Sequence, residues 1–430
     1  MPFSMPAVEP EEVTPERRKQ TAAARLKAMT SWLTEHRAPK GQKVYSTFSL
    51  WDTYRTTHPL LNLVQPEVSR DLGSSLLKMN EVWGFLPPWQ LVQSPTDMME
   101  GDPGSIVLAT MARDGLMDAK QTFVTLEKGR ASRVDERADI RRLGFVQDST
   151  RNCVSRFIEQ SRAEKCVARL ARQLKMEPQA KDHEHRANLL FEAFQQPEHV
   201  FRQHDAPFRH DELNMISPRE SFAEGTPLQY SWGAEWNLEK LIGLHGGPRN
   251  FTCNLDYFFS KAPSPNGNVP DVSGILHGFS MGNEPDFHAP YLFNLAGHPA
   301  KTQEVVDALV KSMYTDANDG LPGNDDLGAM SSWLVFSMLG FYPADVCADE
   351  VALGRPFIST AELKVQGGRL RIKVNKQGHE NKYVEKVAWN GKELDVSPGH
   401  ALTLPWAELH KGGELVFSMT SASPVDALKC

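Results

Sequence analysis

Gly323-Asn324-Asp325-Asp326-Leu327-Gly328-Ala329-Met330-Ser331-Ser332-Trp333 sets an amide and two carboxylates between glycines, directly before an apolar run that continues to Leu339. Acids at the entry and an unbroken apolar stretch behind them predict a buried helix over 328–339 with a polar loop at its N-terminus. Adjacent acids in such a loop point in different directions, so they do different jobs. One serves as a base or metal ligand, and the other caps the helix. Upstream, Gly282-Asn283-Glu284-Pro285-Asp286-Phe287-His288 forms a second dense polar loop. Together the two loops point to a site that handles a polyhydroxylated ligand with carboxylates and a metal.

Outward from these loops, periodicity predicts helices over 68–82, 104–114, 148–174, 184–194, 238–245, 251–259, 290–295 and 301–315. Thr14-Pro15-Glu16 reads as a further helix start, with the helix running to 35. Beyond Tyr342-Pro343 the pattern changes. Leu363-Lys364-Val365, Leu370-Arg371-Ile372-Lys373-Val374, 384–389 and Leu415-Val416-Phe417 read as short strands, with Asn390-Gly391 as a turn. The expected organisation is an N-terminal helix and linker over 1–44, a helical domain over 45–343 and a small β domain over 344–430. Many helices joined by polar loops fit a helical barrel whose loops gather a site at one end, although periodicity also admits another all-helical array.

The chain has 430 residues, of which 40% are hydrophobic, and nine tryptophans, enough for a large core. A net charge of -7 argues against a general nucleic-acid binder. No apolar run reaches the length of a membrane span, and residues 1–13 lack the apolar core of a signal peptide. Cys153, Cys166, Cys253, Cys347 and Cys430 are odd in number and widely spaced, so the expectation is buried or free thiols.

Two more loops carry chemistry. Ser46-Thr47-Phe48-Ser49-Leu50-Trp51-Asp52-Thr53-Tyr54-Arg55 pairs an indole with a carboxylate, as sugar sites do; read structurally, Trp51 is a core residue and Asp52 partners Arg55. Phe222-Ala223-Glu224-Gly225-Thr226-Pro227-Leu228-Gln229-Tyr230-Ser231-Trp232 surrounds Glu224 with apolar groups that would raise its pKa and suit a proton donor; read structurally, it is an exposed loop acid. In the 282–288 loop, Asn283 and Glu284 offer oxygens to Ca²⁺ and His288 a donor to a sugar hydroxyl; read structurally, it caps a helix.

These segments, with His58-Pro59-Leu60-Leu61, Pro290-Tyr291-Leu292, Lys301-Thr302-Gln303 and Leu339-Gly340-Phe341-Tyr342-Pro343 in order, resemble glycoside hydrolase family 92, the calcium-dependent exo-acting α-mannosidases. The similarity runs from about Tyr45 to about Phe357, and more weakly to the C-terminus. It implies a mainly α fold: an (α/α)6 barrel-like catalytic domain, its first helices missing or reduced, then a small β-sandwich-like domain. It also implies inverting hydrolysis of terminal α-mannosides, α-1,2-linked, on N-glycans or mannans, with Ca²⁺ bridging the protein and the sugar's 2- and 3-hydroxyls. By the same resemblance Glu224 is the general acid and Asp326 the general base. Asn283, Glu284 and Asp326 hold the metal, and Trp51, Asp52, Arg55, Asn283, Glu284, His288 and Asp325 hold the sugar. The implied partners are mannose-terminated oligosaccharides or glycoproteins, and the implied setting of the intact protein is secreted or cell-envelope.

The sequence departs from the family pattern in places. Family members carry a large N-terminal β-sandwich, so the chain reads as the C-terminal part of a longer protein. Pro103 stands where relatives have histidine, Thr226-Pro227-Leu228 replaces Asn-Ala-Trp, and Asn324 takes a place often held by aspartate. These departures leave open a second reading, an inactive or carbohydrate-binding relative.

Overall fold

The computed structural model describes residues 43–91, 94–96, 98–132, 136–193, 201–202, 209–267, 271–423 and 430, so the predicted helix over 14–35 lies outside the described residues. The expected helices form at Pro66–Trp83, Pro103–Arg113, Cys153–Gln173, Glu177–Ala193, Leu238–Leu244, Pro248–Ser260, Ala289–Leu295, Pro299–Met313 and Ala329–Leu339. Several carry proline in their first turn, where its missing N–H has no helical partner to lose. Cys153–Gln173 packs along Glu177–Ala193, and Ala289–Leu295 against Pro299–Met313, so short links fold consecutive helices into hairpins.

Helices Thr57–Val64, Ala119–Ser132, Glu136–Leu143 and Trp406–Lys411 were not expected. Thr57–Val64, Glu136–Leu143 and Trp406–Lys411 are short, at eight, eight and six residues, and apolar periodicity is weak along Ala119–Ser132. In Thr57–Val64 the buried face mixes His58 and Asn62 with Pro59 and Leu63. In Ala119–Ser132 the neighbours Phe123 and Val124 divide between core and solvent. Tertiary contacts supply what the local pattern lacks.

The C-terminal strands form a five-stranded sheet in the order Lys392–Glu393, Tyr383–Trp389, Gly413–Thr420, Gly368–Asn375 and Thr360–Val365. Gly413–Thr420 runs parallel to Gly368–Asn375, and the other pairs are antiparallel. Along Gly368–Asn375, Leu370, Ile372 and Val374 face inward while Arg369, Arg371 and Lys373 face solvent. Asn390 and Gly391, with φ of 50° and 81°, close the two-residue hairpin that the Asn-Gly pair predicted. A smaller sheet orders Thr403–Pro405, Glu350–Leu353 and Phe341–Tyr342. Gly340 joins helix Ala329–Leu339 to this sheet with φ of 87°, and a Cβ there would lie 3.0 Å from Pro356 Cβ and 3.1 Å from Phe417 Cζ. One apolar core runs from Phe157, Trp232, Phe258 and Trp333 to Ile372 and Phe417, which seats the helix behind the acidic loop on the strands.

The cysteines correct the expectation. Cys166 is bonded to Cys347 and Cys253 to Cys430, across separations of 181 and 177 residues, while Cys153 is buried. Pairing at that range depends on packing and leaves no local spacing signal. No helix among the described residues is long and apolar enough to cross a membrane.

Candidate active site

Four loops meet. Thr56 Oγ1 donates to the Ala329 carbonyl at 2.8 Å and Thr57 Oγ1 to that of Leu327 at 3.4 Å, tying the Trp51 loop to the acidic loop. Trp333 Nε1 donates to the Phe287 carbonyl at 2.9 Å, tying the following helix to residues 282–288. A Cβ on Gly323 would lie 2.9 Å from Gly282 Cα, so those two backbones pass in contact. The Asn283 amide donates to the carbonyl of Glu224, which brings in the last loop.

Carboxylate oxygens of Asp52, Glu284 and Asp326 lie within 4.8 Å of one another. Asp52 and Glu284 are buried, and Asp326 is exposed. Burial pushes the Asp52 carboxyl up to about 8; Ser49 Oγ, which donates to it, pulls the other way, and Asp326 and Glu224 add to the rise. Burial, then the Asp52 and Asp326 charges, likewise raise Glu284. Although Asp326 is exposed overall, partial desolvation of its carboxyl, then the Asp271 and Asp325 charges, raise it. Glu284 Oε1 and Asn283 Oδ1 are buried without hydrogen-bond partners. Crowded carboxylates and orphaned oxygens, all hard donors, fit a divalent cation, with Ca²⁺ taking such ligands at about 2.3–2.6 Å.

Glu224 stands beside this group. Burial, then the charges of Asp271, Asp326 and Glu100, push its carboxyl up to about 7. Its φ is 47° and that of Asp326 is 39°, left-handed conformations that cost a non-glycine residue about 1–3 kcal/mol and persist where surroundings hold them. The Glu224 loop is held by Tyr230 Oη donating to the Ala223 carbonyl at 2.7 Å and by the Ala223 N–H donating to Ser155 Oγ at 2.8 Å. Thr226 and Gln229 form a capping box that opens helix Pro227–Tyr230, so the unusual Thr226-Pro227 pair has a local purpose. Pro103 likewise opens its helix, behind Asp102 as the cap.

The expected site residues divide. Asp52, Asn283, Glu284, Glu224 and Asp326 come together. Asp325 is engaged by helix Ala329–Leu339: Ser331 N–H donates to its Oδ1 at 2.8 Å and Ser331 Oγ to its Oδ2 at 2.6 Å. His288 Nε2 lies 2.8 Å from the Trp232 carbonyl and 3.7 Å from Glu235, in a buried network below the acids. Arg55 pairs with Glu159 at 2.8 Å, not with Asp52, and its guanidinium lies 5.0 Å from the Trp51 ring centre. Trp51 is fully buried, with Nε1 unpartnered. Arg162 joins this network through Glu159 at 2.7 Å and Glu235 at 2.8 Å. Asp271, which accepts from Asn324 Nδ2 at 2.8 Å and whose charge acts on both Glu224 and Asp326, was missed, because a single acid in a loop carries no signal.

The model of the glycosyl hydrolase family 92 catalytic domain matches residues 10–421. A family 92 α-mannosidase of Bacteroides thetaiotaomicron, solved with mannoimidazole, superposes with a TM-score of 0.83 at 28% identity, over 90% of this chain and 52% of that one. An inverting family 92 mannosidase of the same organism gives 0.76 at 26% identity, over 89% and 54%. An uncharacterized secreted glycosidase of Arthroderma benhamiae is 34% identical over 161 residues, 36% of this chain and 19% of the relative. The chain thus spans about half the length of the solved proteins it matches. The helical architecture with its β portion, the acidic site and a family match along nearly the whole chain agree: this chain belongs to glycosyl hydrolase family 92.

Proposed function

We propose that the chain carries the catalytic centre of an inverting, Ca²⁺-dependent α-mannosidase that removes terminal, α-1,2-linked mannose from N-glycans or mannans. The observation that carries this reading is the neutral-leaning Glu224 beside the Asp52, Glu284 and Asp326 carboxylates. In the proposed reaction the Glu224 carboxyl donates its proton to the glycosidic oxygen as the bond from that oxygen to the anomeric carbon breaks. Asp326 takes a proton from a water on the opposite face, and the water oxygen bonds to the anomeric carbon, inverting it. Such a pair needs about 6.5–9.5 Å between carboxyls to admit the water. Asp52, Asn283, Glu284 and Asp326 would hold the cation. When bound, Ca²⁺ supplies orientation and polarisation of the sugar's 2- and 3-hydroxyls and keeps the nearby carboxylates ionised. Asp52 holds the terminal sugar in this reading; Trp51, fully buried, presents no face to it.

The two solved mannosidases support the substrate class. The two disulfides, with the secreted relative, support a secretory or extracellular setting, where such bonds persist. Hydrolysis of α-1,2-mannobiose, with anomeric configuration followed by NMR, tests the reading. Activity is expected to need Ca²⁺, to disappear with EDTA and to fall severely in Glu224→Gln and Asp326→Asn. Activity indifferent to EDTA would overturn the metal assignment, and mannose binding without turnover would give the chain a binding role.

A further inference from the structure

Asn283 is buried, and the two ends of its side-chain amide have different fates. Nδ2 donates to the carbonyl of Glu224, and Oδ1 has no partner. A carbonyl oxygen only accepts, so the NH2 end must face Glu224 and the amide oxygen must face away. Among the described residues this is the one hydrogen bond made by the peptide that joins Glu224 to Gly225. The carbonyls on either side are held from elsewhere: that of Ala223 by Tyr230 Oη and that of Gly225 by the Ser217 N–H, each at 2.7 Å. Glu224 itself sits at φ of 47°, which a side chain keeps only where its surroundings hold it, and the glycine after it can follow a turned peptide in either direction. The loop on the other side of the bond is rigid. Gly282 N–H donates to the Ser273 carbonyl at 2.9 Å, Phe287 N–H to that of Glu284 at 3.1 Å, and Trp333 Nε1 to that of Phe287 at 2.9 Å. Asn283 is thus a strut between the turn that carries Glu284 and the turn that carries Glu224.

We propose that Asn283 couples cation binding to the aim of the acid: one planar amide gives its oxygen to the cation and its NH2 to the Glu224 carbonyl, so a cation that fixes the first fixes the second. Asn283 is then a positioning residue for Glu224 as well as a metal ligand. The inference rests on the proposed reading of Glu224 as the proton donor and of the adjoining carboxylates as the cation site. Only an amide meets both demands, since a carboxylate offers oxygen at both ends. A strut that lets go allows the Glu224 turn to relax, and a displacement of about 1 Å at a reacting group costs about 10²-fold in rate.

Two substitutions separate the two ends. Asn283→Asp keeps an oxygen for the cation and, ionised beside it, takes the donor away from Glu224; Asn283→Ala removes both. By isothermal titration calorimetry, Asn283→Asp is expected to bind Ca²⁺ no more weakly than the parent chain, and Asn283→Ala about 10-fold more weakly. Turnover is then compared at saturating Ca²⁺ on two substrates. α-1,2-Mannobiose has a poor leaving group that must be protonated, whereas 2,4-dinitrophenyl α-D-mannoside releases a phenolate that needs no acid. In Asn283→Asp the loss of kcat on mannobiose is expected to exceed that on the dinitrophenyl substrate about 10²-fold. A third readout needs no turnover: Ca²⁺ should slow hydrogen exchange at the Ala223 and Thr226 amides, which donate to Ser155 Oγ and Gln229 Oε1, in the parent chain and not in Asn283→Asp. Equal losses on the two substrates, exchange that Ca²⁺ slows as much in Asn283→Asp as in the parent chain, or Ca²⁺ affinity indifferent to Asn283→Ala would overturn the proposal. A parent chain that binds no Ca²⁺, or Glu224→Gln that keeps mannobiose activity, would instead overturn the reading beneath it. If the parent chain needs both Ca²⁺ and Glu224 while Asn283→Asp hydrolyses mannobiose as well as the parent does, only the coupling fails.

Discussion

Replacing Glu224 with Gln should abolish turnover and make the fold more stable, and only above a definite pH. The carboxyl rises from an ordinary 4.5 to about 7 because burial, Asp271, Asp326 and Glu100 all disfavour its charged form. An unfolded chain ionises Glu224 freely, so the favourable protonated form is fully available to the fold below about pH 4.5. That advantage is lost as pH rises through 7. At about 1.4 kcal/mol per pH unit, the charged carboxylate costs the folded chain about 3 kcal/mol at pH 8. Gln has the same shape and no charge, so it removes this cost. The assay is urea unfolding of both chains in EDTA, at pH 5 and at pH 8. The variant is expected to gain about 3 kcal/mol at pH 8 and little at pH 5, and, in separate assays with Ca²⁺ present, to lose mannobiose hydrolysis at both. In the parent chain, turnover should decline as pH rises through about 7, because the proton that Glu224 must donate is then gone. A gain equal at both pH values, or a loss at pH 8, would refute the claim that Glu224 lies desolvated among like charges.

Three further outcomes are expected. Ca²⁺ at about a hundred times its Kd should stabilise the chain by about 2.7 kcal/mol, and Asp52→Asn or Glu284→Gln should abolish the rise in Tm, as calorimetry would show. Reducing the Cys166–Cys347 bond, with closure confirmed by thiol counting, should cost up to about 5 kcal/mol for a loop of 181 residues; an unchanged Tm would mean the bond constrains nothing. Trp333→Phe keeps an aromatic ring near Tyr314, now 6.0 Å from the indole, but strips the donor from the buried Phe287 carbonyl, at a cost of about 1–3 kcal/mol in urea unfolding.

Much of the candidate site was legible as polar loops, because its residues sit in segments with their own local grammar. Glycines beside acids, prolines at helix starts and the Asn390-Gly391 turn report hydrogen bonds and dihedrals that a few adjacent residues decide. The helices behind those loops were legible for the same reason, wherever apolar residues recur on one face. Ala119–Ser132 was not, since its apolar residues do not gather on one face, and Thr57–Val64, at eight residues, is too short to stand out.

Residue order by itself determined the loop chemistry, the family, the positions of the long helices and the turn from helices to strands. Tertiary structure alone decided which of the paired acids would stand free. Asp325 found Ser331, leaving Asp326 to meet Asp52 and Glu284. It also turned Arg55 to Glu159 rather than Asp52, paired cysteines far apart in the chain and set Asp271 beside the two candidate catalytic carboxyls. The physical reason is range. Dihedral preference and periodicity act over a few residues, whereas charge, burial and covalent pairing act through space, between groups that only the packed core brings together.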